Sequence, residues 1–106
     1  MDARISQIVR ELRQRLRGTY GTRLKRVVVY GSQARGDSDA GSDIDVLVVL
    51  SGPVNPADEV ARTIDDVAGV SLAHDAVLSC VFVSQDDFEQ GDSPLLRNAR
   101  REGVPL

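Results

Sequence analysis

The sequence predicts a small α/β domain in which helices flank a sheet, with elements in the order α-β-α-β-α-β-α. Two observations predict this class. Apolar residues recur at helical spacing near the N-terminus and again between positions 60 and 68, which indicates amphipathic helices. Short apolar runs bounded by Gly, Ser and Pro alternate with them, which is typical of buried strands. Because 106 residues are enough for one core, we assign residues 1–106 to a single domain.

The first half of the chain contains one long helix and two strands. Its apolar stripe comprises Ile5, Ile8, Val9, Leu12 and Leu16, and Gly18 is the expected end of the helix. Three consecutive valines in the first strand indicate burial on both faces of the sheet. The predicted elements that follow the helix are a strand over 24–30, a helical turn over 32–36, a polar loop over 37–42 and a strand over 43–50.

The second half contains two helices and one strand. Asn55 is expected to cap a helix that has Pro56 in its first turn and ends near Gly69. We expect its buried face to comprise Val60, Ile64, Val67 and Ala68. The remaining predicted elements are a strand over 75–83 and a helix that Ser93 and Pro94 begin and Gly103 ends.

Composition is typical of a soluble protein of the cytoplasm. The chain is 42% hydrophobic and 27% charged, and no apolar run approaches the roughly 20 residues that a membrane span needs. No apolar segment follows a basic N-terminal patch, so secretion is not expected. The single Cys80 fits a reducing compartment, and its apolar neighbours indicate a core residue and not a reactive thiol.

Charge is distributed unevenly although the net charge is only −3. Residues 1–35 carry nine Lys or Arg against two acids, whereas residues 36–92 carry thirteen acids against Arg62 alone. The basic segment is either a solvated helix face or a contact for a polyanion such as a nucleotide. The acidic middle argues against a domain that coats a duplex, so a nucleic-acid partner is not expected.

The most informative stretch lies between the first two strands. Asp43 and Asp45 are two residues apart at the start of an apolar strand, so both carboxylates project from one face. Two like charges held close together require compensation, for which a divalent cation is suited. Gly31 and Ser32 follow the preceding strand, where turn amides can bind phosphate. A metal beside a phosphate indicates chemistry on a nucleotide.

Other phosphate and metal motifs do not fit this stretch. The two glycines at 31 and 36 have the Walker A spacing, but Asp37 stands where that loop needs Lys. A calcium loop beginning at Asp37 would have Ser42 in place of Gly and Val48 in place of the bidentate Glu. The G-x-G-x-x-G pattern of dinucleotide-binding proteins is absent from the sequence.

The pattern Gly-Ser, ten residues, Asp-x-Asp resembles the signature of the DNA polymerase beta nucleotidyltransferase superfamily. The segments 31–36 and 42–48 resemble those of the minimal nucleotidyltransferases of prokaryotes, and residues 100–104 resemble their C-terminal part more weakly. This resemblance implies a small mixed sheet flanked by helices. It also implies an enzyme that transfers a nucleotide with the help of Mg²⁺.

The resemblance also implies roles for individual residues. Asp43 and Asp45 would be catalytic and would hold two Mg²⁺ ions, while Gly31 and Ser32 would bind the nucleotide. Arg35 either contacts the β- and γ-phosphates or pairs with the acids at 37 and 39. The superfamily normally has a third acid on a neighbouring strand, and Asp75 is the candidate, either as a metal ligand or as a turn residue that begins the strand.

Minimal nucleotidyltransferases often pair with a helical HEPN-domain protein in toxin–antitoxin systems. The resemblance therefore implies an antitoxin that transfers AMP from ATP to a tyrosine of such a partner. Two alternatives stay open: a binding module that neutralises a partner by contact alone, and transfer to a small hydroxylated molecule. A homo-oligomer is compatible with all three.

Overall fold

The computed structural model describes residues 1–36 and 43–106. The loop predicted over 37–42, with the two acids considered as partners of Arg35, lies outside the described residues. A one-turn 3₁₀ helix covers Gly21–Arg23. The α-helices are α1 (Ala3–Tyr20), α2 (Ser32–Arg35), α3 (Pro56–His74), α4 (Gln85–Gln90) and α5 (Pro94–Glu102). The strands are β1 (Leu24–Tyr30), β2 (Ile44–Leu50), β3 (Leu78–Ser84) and β4 (Val104–Pro105).

The four strands form one mixed sheet in the order β3-β2-β1-β4. Strand β2 runs antiparallel to β1 and parallel to β3, and β4 pairs antiparallel with β1. The C-terminal end of β1 therefore lies beside the N-terminal ends of β2 and β3, at the same end of the sheet along the strand direction. In that row Tyr30, Asp45 and Ser79 lie side by side. The predicted mixed sheet flanked by helices is confirmed.

Helices cover both faces of the sheet. Helices α1 and α3 pack on the face that contains Val27, Val29, Val46 and Val48. The other face, built around Leu47, is covered by α4 and α5. The consecutive valines of β1 are 0–3% exposed because each face of the sheet has its own core. Among the described helices, none is long and apolar enough to cross a bilayer.

Two glycines that were expected to end helices lie inside them. Helix α1 continues past Gly18, which has open space around it, and ends at Tyr20 with Gly21 (φ +59°) as its cap. Helix α3 continues past Gly69 to His74. A Cβ at Gly69 would lie 2.5 Å from Nη1 of Arg15, so this glycine faces α1 from within the helix.

The predicted buried face of α3 is wrong. Val60 and Ile64 are 51% and 61% exposed, while Glu59 and Thr63 are buried. The Tyr20 hydroxyl donates a 2.9 Å hydrogen bond to Glu59 Oε1, which satisfies the buried carboxylate and fixes the rotation of the helix. Of the expected apolar face, Val67 does pack on the core.

The C-terminal third also differs from the prediction in its boundaries. The third strand begins at Leu78, three residues after the predicted start, because α3 extends to His74. Helix α4 and the two-residue strand β4 were not predicted. Ser84 caps α4 by accepting a hydrogen bond from the Asp87 amide, so Asp86 and Asp87 lie in its first turn.

Candidate active site

The candidate site lies at the end of the sheet where the central strand β1 ends and the central strand β2 begins. Asp45 is the second residue of β2, and Asp43 immediately precedes the strand. The Ile44 amide donates a 2.9 Å hydrogen bond to the Val77 carbonyl, which keeps this part of β2 in the ladder. The two carboxylates are close enough for the charge of Asp43 to act on the Asp45 carboxyl. Asp43 is exposed and Asp45 is half-buried.

Gly31 closes the β1 side of Asp45. Its backbone has φ +75° and ψ −152°, a conformation that is available essentially only to glycine. A Cβ atom added to Gly31 would lie 2.6 Å from Asp45 Oδ2. Two reasons therefore require glycine at this position. Its dihedral angles are unfavourable for other residues, and a side chain would collide with the Asp45 carboxylate.

The electrostatics of the pair favour a bound cation. Burial raises the pKa of the Asp45 carboxyl, and the charge of Asp43 raises it further. Burial, followed by the Asp45 carboxylate and then Cys80, also raises the pKa of the Tyr30 phenol. A divalent cation between the two carboxylates would reverse this mutual repulsion. The donor set therefore fits the cation that the sequence predicted, through Asp43 and Asp45.

Ser32 and Arg35 lie at the two ends of α2. Ser32 is half-buried and directly follows Gly31, the residue that lies against the Asp45 carboxylate. Arg35 forms a 3.7 Å ion pair with Glu102 at the end of α5. Sequence reasoning did not predict this contact, and the only signal for it was the weak resemblance of residues 100–104.

Asp75 is not brought together with the Asp43–Asp45 pair. It is exposed, caps the C-terminus of α3 with φ +49°, and precedes the first residue of β3 by three positions. Within residues 1–36 and 43–106 there is no group of three His, Cys, Asp or Glu side chains arranged to hold a metal ion. The position of Asp75 at the start of the third strand, on which its predicted ligand role depended, is therefore wrong.

The surroundings of Cys80 and His74 indicate that both residues have a structural role. Burial raises the pKa of the Cys80 thiol to about 11, which agrees with its interpretation as a core residue. His74 Nε2 lies 2.7 Å from Glu11 Oε2, and its carbonyl accepts a hydrogen bond from Arg4. These contacts join the end of α3 to α1.

Comparison with known proteins decides the family. The model of a family described as "Nucleotidyltransferase domain" matches residues 5–93, which include the whole of this site. The chain belongs to the nucleotidyltransferase domain family. As a nucleotidyltransferase, it contains the Gly-Ser and Asp-x-Asp elements within the matched region.

Individual relatives support this assignment. The nucleotidyltransferase is 32% identical over 75 residues to "Putative protein adenylyltransferase MJ0141" of Methanocaldococcus jannaschii, covering 71% of this chain and 75% of the relative. A solved structure titled "Structure of putative minimal nucleotidyltransferase" matches with a TM-score of 0.61 at 27% identity. That match covers 100% of this chain and 97% of the other.

A further solved structure is a complex of a tri-AMPylated HEPN toxin of Shewanella oneidensis with MNT antitoxin. It matches the nucleotidyltransferase with a TM-score of 0.56 and 15% identity, covering 96% of this chain and 67% of the matched one. At this level of identity the similarity shows the shared fold alone.

Proposed function

We propose that this nucleotidyltransferase transfers AMP from ATP to a tyrosine hydroxyl of a partner protein of the HEPN type, and so acts as an antitoxin. The observation that carries the proposal is the Asp43–Asp45 pair beside Gly31 and Ser32. The relative named as a protein adenylyltransferase supports AMP as the transferred group. The solved complex that contains an AMPylated HEPN toxin supports the kind of partner.

The reaction joins the acceptor oxygen to the α-phosphorus of ATP. The bond between that phosphorus and the α–β bridging oxygen breaks, pyrophosphate leaves with the electron pair, and the hydroxyl proton passes to water. Such a transfer requires the acceptor and the phosphate to be held in line, and requires charge stabilisation on the phosphate oxygens. Mg²⁺, when bound, would supply that positive charge.

Each residue of the site has a role in this scheme. Asp43 and Asp45 would hold the cation, and the half-buried position of Asp45 excludes part of the competing water. Gly31 lets the backbone lie against the carboxylate, and Ser32 would bind a phosphate oxygen. Arg35, which forms an ion pair with Glu102, would contact the outer phosphates.

The β3 side of the site is where the acceptor would enter. Val77 is 59% exposed and Ser79 is also exposed, and β3 is one of the two outer strands of the described sheet. An acceptor from another protein can therefore approach Asp43 and Asp45 along this edge. We place the reaction in the cytoplasm, where ATP and reduced thiols coexist.

Labelled ATP tests this function. The protein is incubated with Mg²⁺, labelled ATP and the product of its neighbouring gene, a candidate HEPN-type partner. We expect label on that protein, and we expect the double variant Asp43→Asn with Asp45→Asn to lose it. Asp86→Asn is the matched control, because Asp86 is an exposed acid in α4. Label that survives the double variant would contradict the assignment of the site.

A non-catalytic binding module is the second candidate. The observation that favours it is the displaced Asp75, which leaves two carboxylates at the site among the described residues. In that case the unmodified protein and the double variant would bind the partner equally tightly, and neither would transfer label.

A further inference from the structure

Ser79 lies beside Asp45 on the neighbouring strand. Strands β2 and β3 are parallel and pair in an unbroken register from Ile44 with Leu78 to Leu50 with Ser84. In this register Asp45 pairs with Ser79, and the two side chains project from the same face. Ser79 is exposed, so its hydroxyl is open to a ligand at the site.

The same register places an uncharged residue beside Asp43. The Ile44 amide donates a hydrogen bond to the carbonyl of Val77, the residue immediately before β3. The pairing of the two strands therefore continues one residue before the start of β3. Val77 therefore lies on the side of Asp43 that faces β3 and is 59% exposed. The residues in register with Asp45 and Asp43 are thus Ser79 and Val77, and neither carries a charge.

Asp75 cannot move into this row without unwinding the end of α3. Its amide and the amide of Ala76 both donate hydrogen bonds to the Ser71 carbonyl, which closes the helix. Its left-handed conformation (φ +49°) reverses the chain direction before β3 begins. Asp75 thus belongs to the end of the helix and not to the strand.

We propose that the site binds one divalent cation per bound nucleotide, and that Ser79 is the residue that sets this number. The inference rests on the proposed function. One Mg²⁺ is commonly held by one or two carboxylates together with substrate phosphates, which Asp43 and Asp45 can supply. Two divalent ions about 4 Å apart repel each other, and each further carboxylate at the site would offset part of that repulsion. Ser79 offers a neutral oxygen at the position where a third carboxylate would be needed.

The number of bound ions tests this proposal without any transfer reaction. The protein is dialysed to equilibrium against Mn²⁺ and AMP-PNP, and protein-bound Mn²⁺ and nucleotide are both measured. We expect one Mn²⁺ per bound nucleotide for the unmodified protein. We expect two Mn²⁺ per bound nucleotide for Ser79→Asp. The second ion should bind about ten-fold more tightly to this variant than to the control variants, because affinity rises with the number of charged ligands.

Two variants separate ligation from a simple gain of charge or a change of shape. Ser79→Asn has the shape of the aspartate without its charge. Leu72→Asp adds the same charge on α3 at a position that is 84% exposed and outside the described site. Both should bind one Mn²⁺ per nucleotide. Thermal unfolding of each variant without Mn²⁺ verifies that it is folded.

Several results would overturn the proposal, and they differ from failure of the proposed function. Two Mn²⁺ per nucleotide in the unmodified protein, or one in Ser79→Asp, would overturn the proposal and leave the function standing. Loss of an ion in Asp75→Asn would make Asp75 a ligand and overturn it as well. Binding of no Mn²⁺ by the unmodified protein would overturn both the single cation site and the proposed function.

Discussion

The two sides of Asp45 are built differently. On the β1 side Tyr30 pairs with it and Gly31 lies so close that an added methyl group would collide with Oδ2. On the β3 side Ser79 and Val77 are exposed and uncharged. The β1 side fixes the position of the carboxylate, whereas the β3 side leaves room beside it. A transfer enzyme needs a precisely positioned catalytic group and free access for the acceptor. Here β1 positions the Asp45 carboxylate, and β3 leaves access to it.

The largest expected effect comes from removing the carboxylates that the two sides share. Asp43→Asn combined with Asp45→Asn should lower the transfer rate at least about 1,000-fold, since a cation site contributes several kcal/mol of charge stabilisation. The rate of label transfer under single-turnover conditions measures this effect. A loss of less than about ten-fold would mean that the pair is not the centre of the reaction.

The closed β1 side is tested by substitutions at two glycines that share a positive φ but differ in ψ, which is −152° at Gly31 and 15° at Gly36. Gly31 and Gly36 have φ of +75° and +77°, but of the two only a Cβ at Gly31 would meet another atom of the described residues within 4 Å. Gly31→Ala should lower the free energy of unfolding by about 3 kcal/mol and Gly36→Ala by about 1 kcal/mol. Chemical denaturation gives both values.

Activity provides a second comparison of the same two variants. Displacement of Asp45 in Gly31→Ala should lower transfer about 100-fold, because small misplacements of reacting groups are costly. Gly36→Ala serves as the control for a substitution at a positive-φ glycine that does not contact Asp45. Equal losses in the two variants would show that Asp45 is not positioned by Gly31.

The pH dependence of stability reports on the burial of the Asp45 carboxyl and on its repulsion by Asp43. An acid whose pKa is higher in the folded chain binds more protons when folded, so the free energy of unfolding falls as the pH rises from 3.8 through the raised pKa of Asp45. Without a divalent cation, Asp45→Asn should therefore gain melting temperature relative to the unmodified protein across this pH window. Added Mg²⁺ should reduce that gain, because it stabilises the ionised carboxylate. A difference that is constant with pH would contradict the electrostatic account.

The smallest effect is expected at Asp75, away from the carboxylate pair. Asp75→Asn keeps a residue that tolerates the left-handed cap conformation, so the free energy of unfolding should change by less than about 0.5 kcal/mol. Transfer should change by less than about two-fold, within the range expected of a surface position. A kinetic loss comparable to that of the Asp43 or Asp45 variants would return Asp75 to the site.

The β1–β2 part of the fold was predictable from sequence because its signals are local. The valine run of β1, the glycine after it and the alternation of Asp43 and Asp45 with apolar residues require no knowledge of distant contacts. The family match and the antiparallel pairing of β1 with β2 agree with that prediction. The assignment of individual ligands stays a prediction.

The α3–β3 part was less predictable because distant contacts determine it. The rotation of α3 depends on the Tyr20 hydroxyl that satisfies buried Glu59, which no apolar periodicity reveals. Its length was underestimated because Gly69, which faces Arg15 of α1, lies within the helix and does not end it. Because α3 is longer than predicted, the third strand begins at Leu78 and not at Asp75. In the observed register with β2, Ser79 pairs with Asp45.

The most direct test of the central claim is which phosphate of ATP reaches the acceptor. Parallel reactions contain ATP labelled at the α- or at the γ-phosphate, Mg²⁺ and the partner protein. Nucleotidyl transfer at the Asp43–Asp45 pair predicts that α-label joins the partner in the unmodified protein, that γ-label leaves as pyrophosphate, and that the double asparagine variant transfers neither. Transfer of γ-label, or α-label that persists in the double variant, would contradict the account.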